Sequence, residues 1–238
     1  MGGSVWLGYG RVELATRIGD PEVSQSATLL KDISECFDEA GAKLVEVDLF
    51  ACASGPGSFT GLRIGIATLK ALAASLDRPC VGIPTLQTVA HAAGISAATV
   101  ALLPAGRGEV FAQKFSVAED GEVVELDSAA HLSPAALLNR YGALKNLKWA
   151  GNGAHLHRSL LGKYAEKQGI YFFEDLIEEK KTEPNIGVWE LAQPEPNLAK
   201  HVAALALQLF QSAALQLPHS LKAIYVRPSD AELNQKCP

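Results

Sequence analysis

The sequence predicts an α/β protein, long enough for one large domain or two small lobes, and three observations carry the α/β reading. An apolar run, Asp48–Ala53, meets Gly55-Pro56-Gly57 and passes into a long helical pattern. The same order of strand, glycine turn and helix returns at Leu147–Ala150, Gly151-Asn152-Gly153 and the residues up to Gln168. Short apolar runs alternate with helical patterns through most of the chain, as layered α/β proteins require. Gly94-Ile95-Ser96-Ala97 is the expected lobe boundary, with 1–96 plus 197–238 in the first lobe and 97–196 in the second.

Taken in order, Ser4–Leu7 and Arg11–Ile18 read as strands joined at Gly8-Tyr9-Gly10. Pro21–Ala40 reads as a helix, with Asp20 as cap, Pro21 at its first position and Gly41 beyond its end. Its apolar residues fall in two stripes, Val23, Ala27, Leu30, Ser34 and Phe37, and Leu29, Ile33, Cys36 and Ala40. Together these are wider than one core contact requires.

At the central turn, Gly55 and Gly57 permit backbone angles closed to other residues, and Pro56 fixes its own φ. Ser58 or Thr60 caps the helix that follows. Leu62, Ile66, Leu69, Leu72 or Ala73, and Leu76 form its core stripe, while Gly61, Gly65, Thr68, Ala71 and Ser75 form a second, uniformly small one. Such a stripe suits the close approach of another helix, in this chain or in a partner. No lysine follows Gly61, so this is not a phosphate loop, and Ser58 lacks the spacing of a nucleophile elbow.

Further on, Cys80–Ile83 is a strand, Pro84–Ala93 a helix and Ala98–Leu103 a strand. Glu109–Val117 and Glu122–Asp127 make a hairpin around Asp120-Gly121. Ser133–Tyr141 is a capped helix. Gly151-Asn152-Gly153 is a spot where a nucleotide could rest on backbone N–H groups, or else a plain turn. Glu174–Glu183 is a charged helix face, Thr182–Asn197 a proline-rich connection, and Asn197 caps a helix running to Leu217 that returns to the first lobe.

The totals narrow the function. A net charge of −5 and a pI near 5.7 argue against broad, unaided contact with nucleic acid. Cys36, Cys52, Cys80 and Cys237 have no metal or redox spacing and suit reduced thiols in a cytoplasm. The six histidines include His155 and His157, two apart, but none at metal-ligand spacing, so no metal site is expected. No apolar run reaches a membrane span, so no membrane association is expected.

Gly55-Pro56-Gly57-Ser58-Phe59-Thr60-Gly61-Leu62-Arg63-Ile64-Gly65 resembles the signature of the TsaB (YeaZ) family. The resemblance continues through Ala67–Ala73 and Val81–Leu86, and returns at Gly108–Phe111 and Tyr225–Arg227. It implies the two-lobed actin-like and sugar-kinase ATPase (ASKHA) fold. It also implies a role in threonylcarbamoyl-adenosine modification of tRNA beside the anticodon. Members of that family begin with one more strand, central in the sheet and ending in Asp-Thr-Ser. This sequence starts just after it, so an incomplete start and a first lobe lacking that strand are expected.

The resemblance further implies a non-catalytic subunit that binds a catalytic TsaD-like partner through the first two long helices. Leu29, Ile33, Cys36, Gly61, Gly65, Thr68, Ala71 and Ser75 are the expected contact residues, with Gly55, Pro56, Gly57, Ser58 and Thr60 shaping the turn. A TsaE-like ATPase would join the assembled complex, tRNA would be met only through it, and the chain alone could pair with a second copy. No catalytic residue and no required cofactor are expected. The competing reading is a small ATPase or phosphotransferase using the inter-lobe cleft. Pro104-Ala105-Gly106, where the family carries Asp-Ala-Arg, and the absent Asp-Thr-Ser loop count against it. Peptidase activity has no nucleophile–base spacing behind it.

Overall fold

The computed structural model describes residues 3–20, 25–174, 186–212 and 220–226. The chain divides into two compact units, Met1–Thr88 with Pro196–Tyr225, and Val89–Glu195 with Val226–Pro238. The division falls at Thr88, inside a helix, rather than at Gly94. The glycine there breaks the helix, with φ +76°, but does not separate the units.

In the first unit, β1 (Ser4–Tyr9) and β2 (Val12–Ile18) form an antiparallel hairpin. Gly10, at φ +58°, makes the turn. α1 (Gln25–Ala40) packs on both strands. The expected helix start at Pro21 lies outside the described residues. A single 3-10 turn, Leu44–Glu46, follows; it is closed by the Lys43 N–H donating to the Glu46 carboxylate at 2.7 Å.

β3 (Phe50–Gly55), α2 (Phe59–Ser75) and β4 (Cys80–Pro84) make a parallel β-α-β unit. Ile66, Leu69 and Ala73 bury one side of α2 against Phe50, Cys80 and Leu221. Near the other end of the chain, α7 (Leu198–Gln211) packs on β1, β3 and β4. Asn197 precedes it, but its side chain does not cap the helix as expected. The Asn197 amide donates instead to Thr16 Oγ1 at 2.9 Å, and Ser4 Oγ accepts from the Ala199 N–H at 3.0 Å. Among the described residues the two ladders, β1–β2 and β3–β4, are not joined to each other by strand pairing.

α3 (Thr85–Ala92) spans the division. The second unit is built on one seven-stranded sheet. It contains β5 (Ser96–Gly106), β6 (Glu109–Val117), β7 (Val123–Glu125), β8 (Ala130–Leu132), β9 (Asn146–Ala150), β10 (Tyr171–Phe173) and β11 (Val188–Leu191). The spatial order is β10-β11-β9-β5-β6-β7, with β8 also pairing β6. Its helices are α4 (Pro134–Tyr141), α5 (Asn152–Leu156) and α6 (Arg158–Lys167). Ser133 caps α4 by accepting from the Ala136 N–H, as its sequence predicts.

Three further features differ from the sequence reading. The helix after Gly153 is broken at His157, whose ψ of 13° leaves the helical range although no Gly or Pro marks the place. β8 and β10 are three-residue strands, too short to show a period. β11 lies within the stretch read as a connection. Its Trp189 and Leu191 are buried, and it pairs on both sides, with β10 and β9. Trp189 stands edge-on to Trp149 at 5.0 Å, stacks on Tyr164 and donates its indole N–H to the Leu144 carbonyl at 2.8 Å. Tertiary pairing thus stabilises a strand that four residues could not form alone.

Candidate functional site

The turn before α2 is set by three neighbours. Gly55, at φ +111°, occupies a region open to glycine, and its N–H donates to Thr85 Oγ1 at 3.1 Å. The Gly55–Pro56 peptide is cis. Ser58, not Thr60, is the cap: its Oγ accepts from the Gly61 N–H at 3.3 Å. Gly55 and Pro56 are buried, whereas Gly57, Ser58 and Thr60 are exposed.

α2 presents its small residues away from the core. Gly61, Gly65 and Thr68 are half-buried, and Ala71 and Ser75 are exposed. A Cβ placed on Gly65 would meet nothing within 4 Å. A glycine inside a helix costs about 0.5–1 kcal/mol relative to alanine, and here no packing inside the unit requires it.

α1 touches α2, and its expected contact residues differ in exposure. Cys36 is buried at 1% exposure, beneath the helix rather than on its outer side. Leu29 and Ile33 are half-buried along the same inward stripe. The outward stripe carries Leu30, 67% exposed, and Ser34. Sequence periodicity showed two stripes about 100° apart but not which faced the strands. Burial of Cys36 marks the inward side, and Arg17 on β2 pairs with Glu35 and Glu39 beside it.

A cluster at the start of α2 was not anticipated. The Arg63 guanidinium lies 3.7 Å from the centre of the Phe59 ring, and Tyr225 meets that ring at 5.6 Å. Phe59 and Arg63, one helical turn apart, were the available signal. The segment 220–226 reaches this place by burying Leu221 and by the Ile224 N–H donating to the Ser54 carbonyl at 2.7 Å. Lys70 Nζ donates to the Leu221 carbonyl at 3.3 Å.

In the second unit, Gly151-Asn152-Gly153 opens α5, which has only five residues. Gly151 has φ +87°. A Cβ on Gly151 would run into the Leu102 carbonyl oxygen, and one on Gly153 would lie 2.8 Å from Leu102 Cβ. Close packing of the turn on β5 therefore accounts for both glycines. Nearby, His155 Nε2 donates to the Ala192 carbonyl at 2.9 Å. Among the described residues no group of three His, Cys, Asp or Glu side chains could hold a metal ion.

The charged residues of this unit are drawn into structural networks. Asp127 accepts from Tyr141 Oη at 2.9 Å and from the Lys114 N–H at 2.7 Å, and pairs with Arg140 at 3.0 Å. Burial, then the bond to Asp127, hold the Tyr141 hydroxyl well above its ordinary pKa. Lys148, 12% exposed at its side chain, pairs with Glu190 at 3.3 Å. It also donates to the Ala93 and Ile95 carbonyls. Pro104 lies in β5 opposite Val110.

A family model described as "TsaD: tRNA N6-adenosine threonylcarbamoyltransferase" matches residues 22–221. The chain belongs to this TsaD/TsaB (YeaZ) family. It is 30% identical over 128 residues to the tRNA threonylcarbamoyladenosine biosynthesis protein TsaB of Escherichia coli K12, covering 52% of this chain and 55% of that one. It is 42% identical over 55 residues to the tRNA N6-adenosine threonylcarbamoyltransferase of Agrobacterium fabrum, covering 23% of this chain and 15% of that one. The solved structure of YeaZ from Pseudomonas aeruginosa matches with a TM-score of 0.67 and 25% identity, over 93% of both chains. In sequence, then, the chain spans about half the length of the TsaB relative and less of the transferase. No helix among the described residues is long and apolar enough to cross a membrane.

Proposed function

We propose that this chain is a non-catalytic subunit in threonylcarbamoyl modification of tRNA adenosine, and that it supports a catalytic TsaD-like partner. On this reading the fold is the two-lobed ASKHA type, and the docking surface is the outer side of α2 with the outward stripe of α1. The observation that carries the reading is Gly65. A helix keeps a stability-costing glycine over open space, in line with Gly61, Thr68, Ala71 and Ser75, on a chain of this family. That pattern suits a second helix pressing close, where side chains larger than these would hold the backbones apart.

Leu30 and Ser34 take the contact role on α1, with Cys36 supporting them from beneath. tRNA is met through the assembled complex. The net charge of −5 and the engagement of Lys148 with Glu190 leave the chain a poor phosphate binder by itself. A TsaE-like ATPase completes the assembly, and a second copy occupies the same surface when the partner is absent.

The test is reconstitution. The purified chain should form a stable complex with a TsaD-like subunit by sedimentation and raise its tRNA modification rate. Alone, it should modify nothing and show only weak, shallowly salt-dependent tRNA binding. An unaltered sedimentation profile in the mixture would sink the reading.

A further inference from the structure

We propose that Arg63 is the charge contact on the outer side of α2, and that the helix docked there carries an Asp or Glu side chain against it. The inference rests on α2 being the docking helix and adds what that helix selects in its partner: a carboxylate on an otherwise small or apolar face.

The exposed line of α2 runs Thr60, Arg63, Ala67, Ala71 and Ala74, at the three- and four-residue spacing of one helix face. Arg63 is the one long side chain on it. A helix laid along that line meets alanines over most of its length and the Arg63 guanidinium near its head.

The guanidinium is held in place. Side chains on a helix lean towards its N-terminus, and that of Arg63 lies 3.7 Å from the centre of the Phe59 ring, one turn back. Tyr225 meets the same ring at 5.6 Å. The buried Leu221, and the Ile224 N–H donating to the Ser54 carbonyl, fix the segment that brings Tyr225 there. A cation ordered before its partner arrives loses little side-chain freedom on pairing.

Its charge has no local counterpart. No Asp or Glu occurs from Leu49 to Leu76 or from Ser220 to Val226, although the chain has 26 acidic residues. The charged residues of those two stretches are Arg63, Lys70 and Lys222, all cations. Lys70 is engaged with the Leu221 carbonyl. On the neighbouring α1, Glu35 and Glu39 turn to Arg17. Among the described residues no carboxylate pairs with Arg63.

A helix docked over Arg63 takes its charge out of water, and a covered cation without a partner is strongly unfavourable. A carboxylate removes that penalty, since the planar fork of arginine offers it two parallel N–H donors. A phosphodiester backbone fits less well, because one cation on the exposed line of α2 neutralises one phosphate. An acid-bearing helix suits both features of the line, its alanines and its single cation.

The experiment titrates the purified chain against a TsaD-like subunit and follows complex formation by sedimentation. It is run at about 0.05 and 0.5 M salt, a range over which screening becomes strong. Arg63→Gln should weaken capture about tenfold at the lower salt and flatten its salt dependence. Arg63→Glu should weaken it about a hundredfold or more, by setting like charges together, and Arg63→Lys should fall between the unaltered chain and Arg63→Gln. Circular dichroism melts of the three should stay close to that of the unaltered chain, because Arg63 is exposed. Gly65→Leu serves as the control for the surface itself. If it abolishes capture while the Arg63 variants keep the original affinity and salt dependence, α2 docks and the partner's carboxylate is overturned. If none of the four variants changes capture, the docking surface lies elsewhere and the carboxylate falls with it. If the Arg63 variants leave capture intact but weaken tRNA binding by the assembled complex, Arg63 serves a phosphate and the carboxylate is again overturned.

Discussion

The carbonyl oxygen of Ile224 lies where a side chain on Gly55 would have to go. The turn that opens α2 is therefore built against the segment 220–226, and a Cβ on Gly55 would also lie 3.2 Å from Leu62 Cδ1.

Gly55→Ala should destabilise the first unit for two reasons, the φ of +111° and the Ile224 carbonyl. The combined cost should be about 2–4 kcal/mol, the sum of a strained backbone and a displaced segment. Urea unfolding at neutral pH would report it as a lowered midpoint. A change under 0.5 kcal/mol, in order of magnitude, would mean the segment moves aside freely.

Gly65 separates stability from binding. With open space around it, Gly65→Ala should raise helix stability by about 0.5–1 kcal/mol. Gly65→Leu and Ala71→Trp should leave the chain folded but abolish capture of the TsaD-like subunit, since overpacking at a helix contact costs about 1–3 kcal/mol or more. Circular dichroism melts and pull-downs on the same variants decide it. Undiminished capture by both bulky variants would place the docking surface elsewhere.

How much of this was legible beforehand differs between the helices. α2 was readable because its strand, glycine turn and cap are local signals, and its two stripes differ in side-chain size. α1 was readable as a helix, but its two apolar stripes are alike, so the sequence could not say that Cys36 turns inward and Leu30 outward. That choice is made by how α1 packs on β1 and β2, partners distant in sequence, with Arg17 of β2 reaching Glu35 and Glu39. β11 and the capping of α7 by Ser4 were not legible for the same reason: each depends on partners far along the chain.

Cys52 gives a pH test. Burial, with a smaller contribution from Cys80, pushes its thiol up to about 12 from an ordinary 9.0. The folded state thus favours the protonated form. Its contribution to stability is fully present below pH 9 and is lost as pH rises towards 12. The urea midpoint should fall over that window, and Cys52→Ala should flatten part of the slope, Cys36, Cys80 and Tyr141 acting in the same direction. A slope unchanged in Cys52→Ala would remove Cys52 from the explanation.

Tyr141→Phe should cost the second unit about 1 kcal/mol, the net worth of one partly buried hydrogen bond. Asp127 keeps Arg140 and the Lys114 N–H in that variant. Asp127→Ala should cost more, because it strands the Tyr141 hydroxyl and the Lys114 N–H together, while Arg140 keeps the Ser128 carbonyl. Trp149 and Trp189, both fully buried, supply the fluorescence signal. Equal losses in the two variants would show that Asp127 acts only through Tyr141.

The last prediction concerns nucleotide. Gly151 and Gly153 are accounted for by their approach to Leu102, so a nucleotide is not needed to explain them. α5 is one turn of helix and then yields to α6 at His157, which gives it little of the aligned dipole that holds phosphate at longer helices. Calorimetric titration of the purified chain with ATP, with and without magnesium, should give no saturable heat. If saturable binding appears and Asn152→Ala weakens it at least about tenfold, or about 1.4 kcal/mol, the turn binds nucleotide and the ATPase reading returns. If binding appears and Asn152→Ala leaves it unchanged, nucleotide sits elsewhere on the chain and the turn keeps its purely structural assignment.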